Sequence, residues 1–195
     1  MHITSEQPKE QREQSDACID SAESRVRKMK SQLKGSYSEG DALLIYNKVK
    51  ETGEWLPFLK TFLHDEDYQV ARNALWGLTK ASDEELSSLQ PMLHELIDKA
   101  MNHENSSVRR LSMNIIVRLK MEEDDLRTDF LDFCLEHMAS PAETPGVQTL
   151  CMKLAHRFCG FYPELMKEFT EILQMMDSDY AICVKCLRKK MLTME

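Results

Sequence analysis

Apolar residues recur along this chain of 195 residues in one pattern that returns four times. In each copy, a β-branched residue is followed one helical turn later by a small residue and then by a large apolar one. The copies begin at Val70, Val108, Val147 and Ile182. A small residue one turn after a β-branched one suits a helix that another helix crosses closely. We therefore predict four helices with buried small residues at their crossings. These residues are Ala74, Ser112, Cys151 and Cys186.

Polar side chains mark where these helices begin. A residue that can accept a hydrogen bond from the first helical turn stands three positions before each β-branched residue. The predicted caps are Asp67, Asn105, Thr144 and Asp179. A second amphipathic helix precedes each capped one, and its start is marked by a proline or an aspartate. These markers are Pro57, Pro91, Asp129 and Pro163. Each unit is therefore predicted to be a helical hairpin.

The first fifty residues carry a weaker version of the pattern. An apolar stripe predicts a helix from about residue 16 to 34, and its members are Ala22, Val26, Met29 and Leu33. Asp41 can cap a shorter helix that ends before Gly53. Together these helices can seal the open end of a stack of hairpins, as helical repeats require.

This pattern predicts the domain organisation of the chain. Residues 1–15 are rich in glutamine and charge, have little to bury and are expected to be mobile. Residues 16–53 form the N-terminal helical cap, and residues 54–195 form the repeat stack, continuous with the cap in one domain.

The repeated units resemble HEAT repeats and, more loosely, armadillo repeats. The resemblance lies in a two-helix unit whose acid-containing turn leads into valine, arginine and a small–large pair. Residues 105–110 match best, residues 65–70 match nearly as well, and the resemblance covers about residues 54–192. Ala71 and Gln148 depart from it, because they replace the arginine that usually follows the valine. The resemblance implies an all-α, right-handed α-solenoid of about four HEAT-like hairpins behind the N-terminal cap.

Composition narrows the class of protein further. Apolar residues make up 42% of the chain, and no apolar run approaches the ~20 residues of a membrane span. The N-terminus has neither the basic start nor the apolar stretch of a secretory signal, so we expect a soluble, cytoplasmic protein with reduced cysteines. The net charge of −8 opposes binding to nucleic acid or to an anionic membrane unless the basic residues are segregated.

Cysteine and histidine supply the candidate chemistry. Cys183 and Cys186 have the spacing of a redox pair, but no strand precedes them and Cys186 takes a small core position. Two Cys/His pairs on other helices have zinc-ligand spacing but need not converge. They are Cys134 with His137 and His156 with Cys159. We therefore expect structural cysteines, no metal, no cofactor and no enzymatic activity.

A basic stripe is the strongest candidate site. On the second helix of each unit, the residues two, six and ten positions after the β-branched one share one face, roughly opposite the small residue. Seven of these twelve residues are basic and none is acidic. In HEAT-like stacks the second helices line the concave side, so the resemblance implies a basic concave surface. The predicted binding residues are Arg72, Trp76, Lys80, Arg110, Asn114, Arg118, Lys153, Arg157 and Arg188. An ordinary solvated face is the alternative interpretation.

Three functional hypotheses follow from the stripe. The leading one is a non-enzymatic interaction module that binds an acidic peptide or helix of a partner protein, with Trp76 as the apolar anchor. The second is DNA binding of the kind found in DNA-alkylation-repair glycosylases, which also stack HEAT-like helices around a basic concave face. This chain lacks their overall excess of basic residues, and no catalytic aspartate and tryptophan pair can be matched in it. The third is a structural scaffold without a ligand in the groove.

Overall fold

The structure is a computed structural model that describes residues 9–176 and 179–193, with side chains from Ala22 onward. Over these ranges the chain is helical and contains no strand, which confirms the all-α prediction. Short 3-10 turns cover Gln90–Met92 and Glu123–Asp125. The α-helices are α1 (Lys9–Lys34), α2 (Glu39–Thr52), α3 (Trp55–Phe62), α4 (Tyr68–Leu78), α5 (Asp83–Ser87), α6 (Leu93–Asn102), α7 (Ser106–Ile116), α8 (Thr128–Ala139), α9 (Pro145–Cys159), α10 (Pro163–Met175) and α11 (Ile182–Leu192).

Consecutive helices pair into hairpins, and the hairpins stack. The pairs are α3 with α4, α6 with α7, α8 with α9 and α10 with α11. The second helices also pack in series, α4 on α7, α7 on α9 and α9 on α11, so one apolar core runs through the stack. None of the described helices is long and apolar enough to cross a bilayer.

Three of the four predicted crossings are confirmed. Ala74, Ser112 and Cys151 are completely buried on α4, α7 and α9. Three of the predicted caps are confirmed as well. The Asp67 carboxylate accepts a hydrogen bond from the Gln69 amide at 3.0 Å, and the corresponding caps on α7 and α9 are Asn105 and Thr144.

The predicted register of the fourth unit is wrong by two residues. Val184 is buried, whereas Ile182 is 80% exposed, so Val184 takes the place that Val70 has in the first unit. The cap lies three residues before Val184, at Ala181, and makes no side-chain hydrogen bond. Asp179 therefore does not cap α11, and Cys186 is exposed rather than buried. Ile182 fits the repeated pattern in full, whereas Val184 is followed one turn later by Arg188 and Lys189. The packing of α11 therefore overrides the pattern in this unit.

The N-terminal helices α1 and α2 both pack against α4. Helix α1 begins at Lys9, earlier than the predicted start at about residue 16, and residues 1–8 of the segment expected to be mobile lie outside the described residues. Ser38, not Asp41, is the cap of α2, and Asp41 completes a capping box by accepting from the Ser38 amide. The helix ends at Gly53 as predicted, with φ at 68° in the left-handed region.

Ion pairs and a buried amide attach the C-terminal end of α1 to the stack. The Lys30 ammonium lies 2.6 Å from Asp65 and the Lys34 ammonium 2.9 Å from Asp67, both in the turn between α3 and α4. The hydrogen bond and charge of Lys34 hold the pKa of Asp67 below its usual range. The Asn73 amide, fully buried on α4, donates to the Leu33 carbonyl oxygen.

Replacing Ser112 with phenylalanine tests the packing of the second helices. We expect Ser112→Phe to cost ~1–3 kcal/mol or more, because the larger ring overpacks a completely buried position. Cys186→Phe is the matched control at the equivalent position of the sequence pattern, which is exposed on α11, and should change the free energy of unfolding by less than about 0.5 kcal/mol. Urea denaturation measures both. Equal losses would contradict the register described here.

Candidate functional site

The open face of the second helices carries the predicted stripe. On α4, α7 and α9, all nine stripe residues are partly or fully exposed, and the small residues on the opposite side are buried. We call these nine residues the open face. They are Arg72, Trp76, Lys80, Arg110, Asn114, Arg118, Thr149, Lys153 and Arg157.

Arg118 and Arg157 connect neighbouring units. The Arg118 guanidinium donates to the carbonyl oxygens of Thr79 and Ala81, and it also lies 2.6 Å from the Asp83 carboxylate. These carbonyls stand at and just beyond the C-terminal end of α4, where no further helical N–H is available to them. Arg118 therefore satisfies the end of the preceding second helix.

Arg157 repeats this arrangement one unit later. Its Nη1 donates to the carbonyl oxygens of Val117 at 3.2 Å and of Leu119 at 2.8 Å, at the end of α7. Partial burial lowers the pKa of this guanidinium, which nevertheless stays protonated at neutral pH. Arg118 and Arg157 each lie ten residues after the β-branched residue of their helix, and both thus direct their donors at the protein's own backbone.

Two more predicted cations also have partners within the chain. The Lys80 ammonium pairs with the Glu39 carboxylate at the start of α2. Arg188 donates through Nε to the carbonyl oxygen of Leu173 and through Nη2 to that of Gln174, at the end of α10. In the corrected register of the fourth unit, Arg188 lies one turn after Val184 and does not join the open face.

The remaining cations lie at other stripe positions. In the part of the chain that the structure describes, Arg72, Arg110 and Lys153 form no ion pair, and only Arg72 has a side-chain hydrogen bond, to the Asn73 amide oxygen. The stem of Arg110 lies over the first turn of α9, where a Cβ on Gly146 would come within 2.8 Å of the Arg110 Cδ. The missing side chain at Gly146 makes room for this stem.

Charge on the open face is therefore graded along the helices. Ten residues after the β-branched residue of each helix, the charges are neutralised or directed at carbonyl groups. Arg72 and Arg110, two residues after it, are unpaired among the described residues. These two arginines also lie near the helix N-termini, which carry partial positive charge. The N-terminal end of the open face is thus the end that favours an anionic ligand.

Trp76 lies in the middle of the open face. It is partly buried and packs against the core. On α4 it lies one turn after Arg72 and one turn before Lys80.

The sequence did not indicate the backbone acceptors of the stripe arginines. The carbonyl oxygens that Arg118 and Arg157 meet lie 37–40 residues earlier in the chain. No pattern within α7 or α9 points to these contacts.

The candidate cysteines Cys134 and Cys159 lie near each other and near Cys151, but among the described residues the candidate histidines do not complete a metal site with them. Cys134, Cys151 and Cys159 are buried, and burial raises the pKa of Cys159 to about 11. The partner of His137 is Glu143, with 2.8 Å between Nδ1 and Oε1. Among the described residues, no group of three or more histidines, cysteines or acids is arranged to hold a metal ion. Cys183 and Cys186 lie exposed on α11.

Comparison with known proteins gives one match. The profile of the family described as "HEAT repeat domain" matches residues 29–194. This confirms the resemblance found in the repeated units and extends it into α1. No protein of curated function and no solved structure matches the chain significantly.

The role of Arg157 in joining two units can be tested by its stability effect. Arg157→Met keeps the apolar stem but leaves the Val117 and Leu119 carbonyl oxygens without their donor, so we expect a loss of about 1–3 kcal/mol. Lys153→Met, one turn earlier and exposed, is the matched control and should stay within about 0.5 kcal/mol of the unsubstituted chain. Denaturant unfolding gives both values. A loss shared equally by the two variants would contradict the assigned role.

Proposed function

We propose that this chain, which belongs to the HEAT repeat family, is a protein-interaction module whose open face binds an acidic segment of a partner protein. Arg72, Arg110 and Lys153 pair with carboxylates of that segment. Trp76 contacts a large apolar side chain between those carboxylates. Stacked helical repeats commonly present extended surfaces of this kind to their partners.

The observation that carries the proposal is that unpaired cations share the open face with a partly exposed tryptophan. A guanidinium that meets a carboxylate forms a charge-assisted hydrogen bond, roughly twice as strong as a neutral one. Tryptophan and arginine are also the residues enriched among those that dominate binding energy, because a partner can cover the ring while it neutralises the charge. Arg72 lies one turn before Trp76 on α4, and Arg110 follows on the next second helix, with its stem over the first turn of α9.

DNA binding receives less support from the same face. A duplex presents a phosphate every ~1.7 Å of its axis and is bound by many lysines and arginines acting together. Here Arg118 and Arg157 donate to backbone carbonyls and Lys80 pairs with Glu39. Three cations of the open face are therefore not free to bind phosphates. The net charge of −8 also opposes approach of a polyanion.

Truncation of Trp76 tests the proposal. The probe is a fluorescein-labelled acidic peptide with glutamates around one central leucine, titrated with the full chain and followed by anisotropy. We expect Trp76→Ala to weaken binding by about 2 kcal/mol, roughly 30-fold, because the leucine loses its contact surface. Leu75→Ala is the neighbouring control: it removes a fully buried side chain and should cost ~2–5 kcal/mol of stability, while Trp76→Ala costs much less.

Two results would contradict the proposal. One is a large stability loss in Trp76→Ala with peptide affinity unchanged, which would make Trp76 a core residue only. The other is tighter binding to duplex DNA than to the acidic peptide, with log affinity falling against log salt at a slope of about −0.9 per neutralised phosphate.

A further inference from the structure

A second surface, distinct from the open face, lies at the N-terminal end of the stack. A groove of about 590 Å³ runs between α1 and the corner formed by α2 and α3. Ala22, Val26 and Met29 line one wall, and Val49, Phe58 and Phe62 line the other side.

The stack covers the apolar stripe of α1 only in part. Leu33 is fully buried, Met29 and Ala22 are partly buried, and Val26 is 42% exposed. The ion pairs of Lys30 and Lys34 fix the C-terminal end of α1, and Lys48 donates to the Gln32 side chain across the groove. Val26 is therefore the stripe residue of α1 that is most open to a ligand in the groove.

The floor of the groove suits aliphatic side chains. The rings of Phe58 and Phe62 meet edge to face, with centroids 5.2 Å apart, and Val49 lies beside them on α2. Apolar walls on two helices, with a floor between them, form the kind of groove into which an amphipathic helix inserts its apolar face.

The two rims carry opposite charge. Arg25 and Lys28 stand on the α1 rim, and in the described part of the chain neither has an ion-pair partner. Glu51 and Glu54 stand on the opposite rim, at the end of α2 and the start of α3. A helix that fills this groove therefore binds most tightly if its two flanks also differ in charge. The flank toward α1 should be acidic and the flank toward Glu51 and Glu54 should be basic.

We propose that this groove is a docking site for an amphipathic helix of a partner protein with a leucine-type apolar stripe, one acidic flank and one basic flank. The site lies on α1, α2 and α3 and uses no residue of the open face, so it does not depend on the function proposed above.

A panel of three helical peptides tests the site. Each has about 18 residues, or about five turns, and all share one leucine stripe. The flanks are all glutamate, all lysine, or glutamate on one side and lysine on the other. Binding is measured by fluorescence anisotropy with the full chain carrying Arg72→Gln, Arg110→Gln and Lys153→Gln, so that the open face does not take up the glutamate flanks. We expect the mixed-charge peptide to bind about tenfold more tightly than either uniform one, since each uniform peptide meets one rim of like charge.

Charge reversal of one rim should switch this preference. With Arg25→Glu and Lys28→Glu together, both rims are acidic, and the all-lysine peptide should become the tightest ligand of the three. The reverse change, Glu51→Lys with Glu54→Lys, should favour the all-glutamate peptide. These side chains are exposed, so the variants keep the fold.

A control variant separates the groove from general charge attraction. Arg27→Glu makes the same charge change on α1 at a residue that does not line this groove. It should not alter affinity for the mixed-charge peptide by more than about twofold. The proposal is overturned if none of the peptides binds, if the uniform peptides match the mixed one, or if Arg27→Glu weakens binding as much as Arg25→Glu does.

Discussion

Close packing of each second helix on the next is the interaction on which the rest of this structure depends. Ala74, Ser112 and Cys151 are completely buried where the helices cross. The same constraint acts at the N-terminal side, where a Cβ on Gly77 would come within 2.6 Å of Ile45 on α2. Because a helix that buries one side must expose the other, these contacts decide which residues of α4, α7 and α9 face solvent.

The stacking also divides one stripe of basic residues into two groups. Arginines at the C-terminal ends of the second helices reach back to the preceding unit, where carbonyl oxygens lack donors. Arg72 and Arg110, near the N-terminal ends, have no such acceptor and remain unpaired among the described residues. The stripe thus connects neighbouring units at the C-terminal ends of the second helices. At their N-terminal ends it forms a candidate binding surface.

Much of the architecture could be predicted because the signals are local. A cap such as Asn105 acts on its own first turn, and a buried residue such as Cys151 follows from helical spacing. The fourth unit shows the limit of local signals. Ile182 fits the pattern and Val184 does not, yet Val184 is the residue that α11 buries.

The candidate sites depend on contacts between distant segments, so the sequence predicted them less completely. Nothing near Arg157 indicates that its guanidinium meets the carbonyl oxygens of Val117 and Leu119 in the preceding unit. Likewise, nothing near Lys80 indicates that its ammonium pairs with Glu39 at the start of α2. The apolar stripe that predicts α1 does not reveal that Leu33 is fully buried while Val26 is 42% exposed.

Quenching of Trp76 fluorescence tests most directly whether the open face is exposed and positively charged. The chain has two tryptophans, and Trp55 is buried, so Trp55→Phe leaves Trp76 as the single reporter. A positive surface concentrates iodide and repels caesium. We therefore expect the ratio of iodide to caesium quenching to be at least about twofold higher for Trp76 than for free N-acetyltryptophanamide at low ionic strength. Added salt should bring the two ratios together. A ratio for Trp76 equal to or below that of the free compound would contradict the account.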